Sequence, residues 1–296
     1  MDSVVNSSIS QDVINQMTGN TPGGFTPEAD EIWCRFFSDG FFGYGAHGDF
    51  KLFSIWHFLP LILFGVAIFL IWRFRAWFRT WKFEENFRFI WAAIMIFIEM
   101  SYFWRLLYVG SADVGQINSL LDKLPLQVCE WTCILSCFML MKKRDNWLFQ
   151  ICFYVCLTAG TCALIIPNTA IATTGPTYYR YYQFWLEHML PTLAALYMAF
   201  VHGYRPKLKG VFISAGFLGT LGTVCIICNH VFKEHNARYM YFDLLKDVPV
   251  LGIPWVTPIF FAIVMFIALT AVYFATKLLL MLIYKYRAKK KLKLSK

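Results

Sequence analysis

A thiol, an imidazole and several carboxylates embedded in apolar sequence are the residues of this chain with chemistry to offer. Cys129 lies in Leu124-Pro-Leu-Gln-Val-Cys-Glu-Trp-Thr-Cys-Ile-Leu-Ser-Cys137, next to Glu130. His188 ends Tyr181-Tyr-Gln-Phe-Trp-Leu-Glu-His188, next to Glu187. A thiol attacks as its thiolate, so a catalytic cysteine needs a base or a cation at hand. A histidine supplies the base, and a carboxylate can orient its ring. This set points to acyl transfer, with Cys129 as nucleophile and His188 as base. Blander readings compete with it. A cysteine in apolar sequence is usually a packing residue, and a histidine there commonly joins helices through hydrogen bonds.

The elements that must position these residues are long apolar runs. Seven predicted membrane-spanning helices cover roughly 52–72, 87–108, 124–141, 147–166, 181–201, 208–229 and 254–284, each long enough to cross a bilayer or nearly so. At about 1.5 Å of rise per residue, Cys129 and Glu130 fall roughly 8–9 Å inside the outer start of the third helix. His188 falls about 10 Å inside the outer start of the fifth. Arg105 lies near the outer end of the second helix, with Glu99 about 9 Å deeper. His57 belongs to the first helix, and Asn229 ends the sixth. All of these lie in the outer half, and the cytoplasmic halves carry almost no polar residues, which predicts one polar cavity open to the outer side. Glu187 points about 100° away from His188 around a helix, so Glu99 or Glu130 is the expected orienter of the ring, and both are expected among the substrate-binding residues. Arg105 could hold a phosphate headgroup, and His57 and Asn229 could donate to a headgroup or an oxyanion.

Cys129, Cys133 and Cys137 are spaced i, i+4, i+8 and so share one side of a helix. The deeper two read as packing residues. Cys225-Ile-Ile-Cys228 with His230 and His235 has a weak likeness to metal-ligand spacing, but within an apolar helix no metal is expected. No cofactor is expected either.

Composition excludes several classes. The 296 residues are 58% hydrophobic and 19% aromatic with only 15% charged, unlike a soluble domain of this length. The formal net charge of +9 does not imply nucleic acid, because the cations fall in short segments between apolar runs. Of nine cysteines only Cys34 lies outside the predicted spans, so a disulfide framework is not expected. The basic segments alternate: Arg73 to Arg88, Lys142 to Arg144, Arg205 to Lys209, then Lys285 to Lys296. With seven spans this predicts an outer N-terminus and a cytoplasmic C-terminus. The expected organisation is a flexible polar tail (1–30), an interfacial segment (31–51), an all-α seven-helix transmembrane bundle (52–284) and a polybasic cytoplasmic tail (285–296).

Three stretches resemble the YwaF-type family of integral membrane proteins, with the likeness running from about Phe41 to the C-terminus. They are Phe42-Gly-Tyr-Gly-Ala-His47 leading to Trp56-His57, then Leu124-Pro-Leu-Gln-Val-Cys129, then Tyr181 to His188 with Leu196-Tyr197 and Gly203-Tyr-Arg-Pro206. The second is similar to the family's Leu-Pro-Leu-His-Leu-Cys, with Gln127 in place of the histidine. Family members include bacterial proteins, and an animal branch is reported as ether-phospholipid acyltransferases. The resemblance implies that Cys129 carries an acyl thioester and that His188 matches the family histidine. The expected activity is therefore cysteine-dependent phospholipid acyl transfer, from a phospholipid donor to a lysolipid or another acceptor, in a bacterial-type cell membrane. The alternative is a transporter or a small-molecule- or lipid-binding protein that uses the same pocket, with buried carboxylates coupling protons.

Overall fold

The computed structural model describes residues 51–109, 124–142, 147–167, 176, 179–232 and 256–294. Among these residues there are seven helices and no strand: α1 (Ile55–Thr80), α2 (Glu84–Val109), α3 (Val128–Met141), α4 (Trp147–Ile165), α5 (Tyr179–Phe200), α6 (Leu208–Val231) and α7 (Val256–Leu294). Four of them contain stretches long and apolar enough to cross a membrane: α1, α4, α6 and, in α7, Ile259–Leu282. The predicted tail 1–30 and nearly all of the interfacial segment lie outside the described residues.

The bundle is built inside out relative to a soluble protein. Large side chains such as Ile62, Phe69, Phe212, Ile227, Ile263 and Leu279 are exposed on α1, α6 and α7. In lipid such a surface has no reason to collapse, so close packing and interhelical hydrogen bonds must hold the helices together. They do so around α5, which packs against α1, α2, α3 and α4. Tyr181 donates to the Trp56 carbonyl at 2.5 Å and so ties α5 to α1. The Tyr179 and Ser101 hydroxyls, 2.8 Å apart, tie it to α2. α7 sits at the edge, mainly against α6.

Two features depart from the expected helices. α3 begins at Val128, not at 124, because Leu124-Pro125-Leu126-Gln127 forms a bent entry in which the Leu126 N–H donates to the Leu124 carbonyl at 2.7 Å. Pro125 disfavours helix in the residue before it, and Gln127 at the N-cap is extended (φ −83, ψ 148). The entry is held by α6: the Cys225 thiol donates to the Leu126 carbonyl at 3.2 Å. Within α4, Cys156–Gly160 forms a π turn. The Cys156 carbonyl accepts from the Thr161 N–H of the wider turn and also from the Thr161 hydroxyl (3.3 Å) and, across the interface, from the Thr192 hydroxyl (3.4 Å). Gly160 allows a close approach there. A Cβ on it would stand 3.2 Å from Thr192 Oγ1, closer than ordinary contact.

The end of the bundle away from Cys129 is not poor in polar groups, as expected above. Arg88, at 1% exposure, reaches Glu84 Oε1 from Nε at 2.9 Å and also donates to the Leu140 carbonyl. Tyr197 and His202 each bond the same carboxylate oxygen at 2.8 Å. Gln150 donates to the Arg205 carbonyl and accepts from the Lys207 N–H, both at 3.0 Å. Arg88 belongs to a basic segment expected between two spans, yet it is buried. It satisfies the Leu140 carbonyl near the end of α3, while Gln150 satisfies the backbone of the α5–α6 connection, because buried backbone groups need partners.

Candidate functional site

Cys129 is the second residue of α3, so it stands at the helix start and not several turns inside it. The N–H groups of this first turn have no intrahelical acceptors. One of the neighbouring donors is used: Gln127 N–H donates to Glu130 Oε2 at 2.9 Å. The carboxylate of Glu130 therefore caps its own helix, as an acidic residue at this position commonly does. That is the role of a buried carboxylate that sequence reasoning had offered as a binding residue or an orienter of His188.

His188 comes from α5 and is half-buried. Its Nδ1 lies 2.8 Å from the Phe184 carbonyl, one turn earlier. A carbonyl only accepts, so Nδ1 carries the hydrogen and Nε2 of the neutral ring is left with its lone pair. Its own backbone carbonyl accepts from the Thr192 hydroxyl at 2.9 Å. Pro191 lies between them in α5 and cannot donate to the Glu187 carbonyl, which loosens the helical ladder at this turn.

The ligand atoms of Cys129, Glu187 and His188 lie within 4.8 Å of one another. All three line a cavity of about 180 Å³, with Gln127, Thr132, Cys156, Gly160, Thr192 and Phe261 among its other walls. The π turn of α4 supplies one side of this cavity, and such turns recur at functional sites. Its angular separation from His188 around α5 argues against Glu187 as the partner of the ring, yet the structure brings the two together. The cavity lies where α3, α4 and α5 meet, wide enough for two successive residues of α5 to flank it. Gln183 Nε2 donates to Glu187 Oε2 at 2.8 Å and fixes that carboxylate. Thiol, imidazole and carboxylate could together also hold a soft divalent cation.

The other expected binding residues are placed elsewhere. His57 is 1% exposed and does not line this cavity. Its Nδ1 accepts from the Phe53 N–H at 3.2 Å, so Nε2 carries the hydrogen and donates to the Leu164 carbonyl at 3.1 Å. It thereby holds the entry of α1, where Phe53 has φ 62, against the end of α4. Glu99 is buried on α2. Asn229 lies half-buried at the end of α6. Neither lines the cavity. The Arg105 side chain lies outside the described residues. Cys133 and Cys137 donate to the Met95 and Ala92 carbonyls of α2 at 3.6 and 3.5 Å. Cys225 is committed to Leu126, and His235 lies outside the described residues.

The walls supplied by Cys156, Gly160 and Thr192 were not foreseen. The run Thr158-Ala-Gly-Thr161, small and polar inside an apolar span, was the available signal.

No curated protein and no solved structure matches the chain. A family model does, over residues 52–292, and it is that of the TMEM164 family rather than of the YwaF-type family that the motifs resemble. The match covers every helix that builds the cavity, so the chain is a membrane protein that belongs to the TMEM164 family.

Proposed function

We propose that this protein is a membrane-bound lipid acyltransferase that works through a thioester on Cys129. The observation that carries the reading is the convergence of the Cys129 thiol, the His188 ring and the Glu187 carboxylate within 4.8 Å in one cavity. His188 takes the thiol proton at Nε2, and Glu187, held by Gln183, steadies the imidazolium that forms. The thiolate attacks the ester carbonyl carbon of a phospholipid. The C–S bond forms as the ester C–O bond breaks, and His188 returns the proton to the departing lysolipid oxygen. In the second half an acceptor hydroxyl gives its proton to His188 and attacks the thioester, so that the C–O bond forms and the C–S bond breaks. No oxidant or cofactor enters this balance. The first-turn N–H groups that the capping box of α3 does not use, those of Val128 and Cys129, would receive the developing negative charge of the ester carbonyl.

The reading includes a seven-span arrangement with the N-terminus outside. It is supported by seven successive helices and by the alternation of basic segments in the sequence. α2 and α5 are the less apolar of these helices, and their polar side chains are largely internal: Arg88, Glu99, Gln183 and Glu187 are all buried. α3 is about 21 Å long at 1.5 Å per residue, so in this reading the bent entry 124–127 supplies the rest of the crossing.

The test is purified protein with isotope-labelled phospholipid and a lysolipid acceptor, with mass spectrometry for an acylated cysteine. Transfer and a Cys129 thioester in the wild type, both lost in Cys129→Ser, are the expected result. A serine at this position requires an alkoxide, which forms far less readily than a thiolate. Unchanged transfer in Cys129→Ser, or a thioester on another cysteine alone, would overturn the assignment. Absence of transfer by folded wild type across a broad lipid panel would turn the cavity into a binding or transport site.

A further inference from the structure

The cavity that holds Cys129 has room for the reacting ester but not for a lipid tail, since about 180 Å³ falls below the range of ordinary ligand pockets. A second cavity of about 430 Å³ adjoins it, between α6 and α7. Phe261 of α7 lines both. The second cavity has walls of small and apolar residues: Ala215, Gly219 and Gly222 on α6, and Ala262 and Met265 on α7. Its floor is Leu269, at 1% exposure, while Ile226, Ile259 and Phe266 on its rim are exposed on the apolar flank of the bundle. A Cβ added at Gly219 would meet no atom within 4 Å, so the space beside that glycine is open and not filled by packing.

We propose that this α6–α7 groove binds the acyl chain of a membrane phospholipid, with the ester passing Phe261 to reach Cys129. The inference rests on the acyl-transfer reading for its direction, because only a substrate whose carbonyl must meet the thiol needs a tail site next door. The occupant follows from the lining. The side chains facing the groove are hydrocarbon except Thr223, whose hydroxyl already donates to the Gly219 carbonyl at 2.8 Å, so they suit an acyl chain better than a polar headgroup. The rim opens where lipid tails already lie, so a chain enters sideways without leaving apolar surroundings. Phe261, at the junction of the two cavities, governs how the chain passes from groove to thiol.

The experiment uses full-length protein in phosphatidylcholine nanodiscs doped with a phosphatidylcholine that carries a diazirine in its acyl tail. After irradiation, adducts are mapped by mass spectrometry. Adducts on the groove walls of α6 and α7 should exceed those on the equally lipid-facing Ile62 and Phe69 of α1 by at least severalfold. Gly219→Phe should remove the groove adducts and leave those on α1 unchanged. Gly219→Leu serves if the phenylalanine variant does not yield folded protein. In the transfer assay, Gly219→Phe should reduce use of long-chain donors at least tenfold relative to short-chain donors. No enrichment in the groove over α1, or enrichment that survives both Gly219 variants, overturns the proposal. Enrichment that the variants abolish, in a wild type that transfers no acyl group, leaves the groove standing and removes the acyltransferase reading alone.

Discussion

The Nδ1–H of His188 donates to the carbonyl oxygen of Phe184 at 2.8 Å, one turn back along the same helix. A single helix thus sets the tautomer of the ring and leaves on Nε2 the lone pair that the proposed proton transfer needs. Removing the ring should therefore remove proton transfer and little else. His188→Ala is expected to lower turnover by about 10²–10⁴-fold, the usual contribution of a general base. Thermal unfolding of the purified variant in detergent should stay near the wild type, because the bond from Thr192 goes to the backbone carbonyl of residue 188. A large loss of folded protein would identify His188 as a structural hub instead.

The cysteines of α3 should separate by function. Cys133→Ser and Cys137→Ser keep a donor for the Met95 and Ala92 carbonyls and change little volume. Both variants are expected to retain near wild-type transfer and yield. A loss in either, comparable to that of Cys129→Ser, would show that the reactive thiol has been misassigned.

Gly160 tests how tightly the π turn of α4 must approach α5. Gly160→Val places branched carbons where a single Cβ already comes within 3.2 Å of Thr192 Oγ1. Overpacking of this kind costs about 1–3 kcal/mol. The expected outcome is a lower unfolding temperature together with reduced activity, because the same displacement moves a wall of the Cys129 cavity. Gly160→Ala should show a weaker version of both effects.

Glu84 gives the fold an acid limit. It lies in the 73–87 segment, outside the predicted spans. Burial pushes its carboxyl up, but the hydrogen bonds from His202 and Tyr197 and the charge of Arg88 outweigh that and hold it below 4.5. A carboxyl depressed in the folded state contributes stability that is present above its unfolded pKa and lost as pH falls through the folded one. Melting temperature should accordingly drop as pH is lowered below about 4.5. Glu84→Gln should be less stable at neutral pH, by about 3–5 kcal/mol if Arg88 stays buried without its anion. It should also lose most of the acid dependence. An identical pH profile in wild type and variant would contradict the assignment.

Orientation is tested from outside the cell. Lys143→Cys, in a background with the native accessible cysteines removed, should resist a membrane-impermeant maleimide in intact cells and react after permeabilisation. Labelling in intact cells would reverse the proposed topology.

Sequence alone determined the helical class and the approximate places of the helices, because lipid demands long apolar runs with every backbone group bonded within the helix. It also singled out Cys129 and His188, since a thiol and an imidazole stand out against such a background. What it could not determine is what each polar residue faces. Glu130 and Glu187 both adjoin a candidate catalytic residue in sequence, yet one caps its own helix and the other meets the thiol. That difference depends on where α3 starts and on how α4 and α5 close around its first turn. Arg88 looked like a loop cation until the fold supplied Glu84 and the Leu140 carbonyl at the same buried point. A run of residues specifies a helix locally, but the partner of a buried charge comes from another helix. Only the packing of the bundle decides which one.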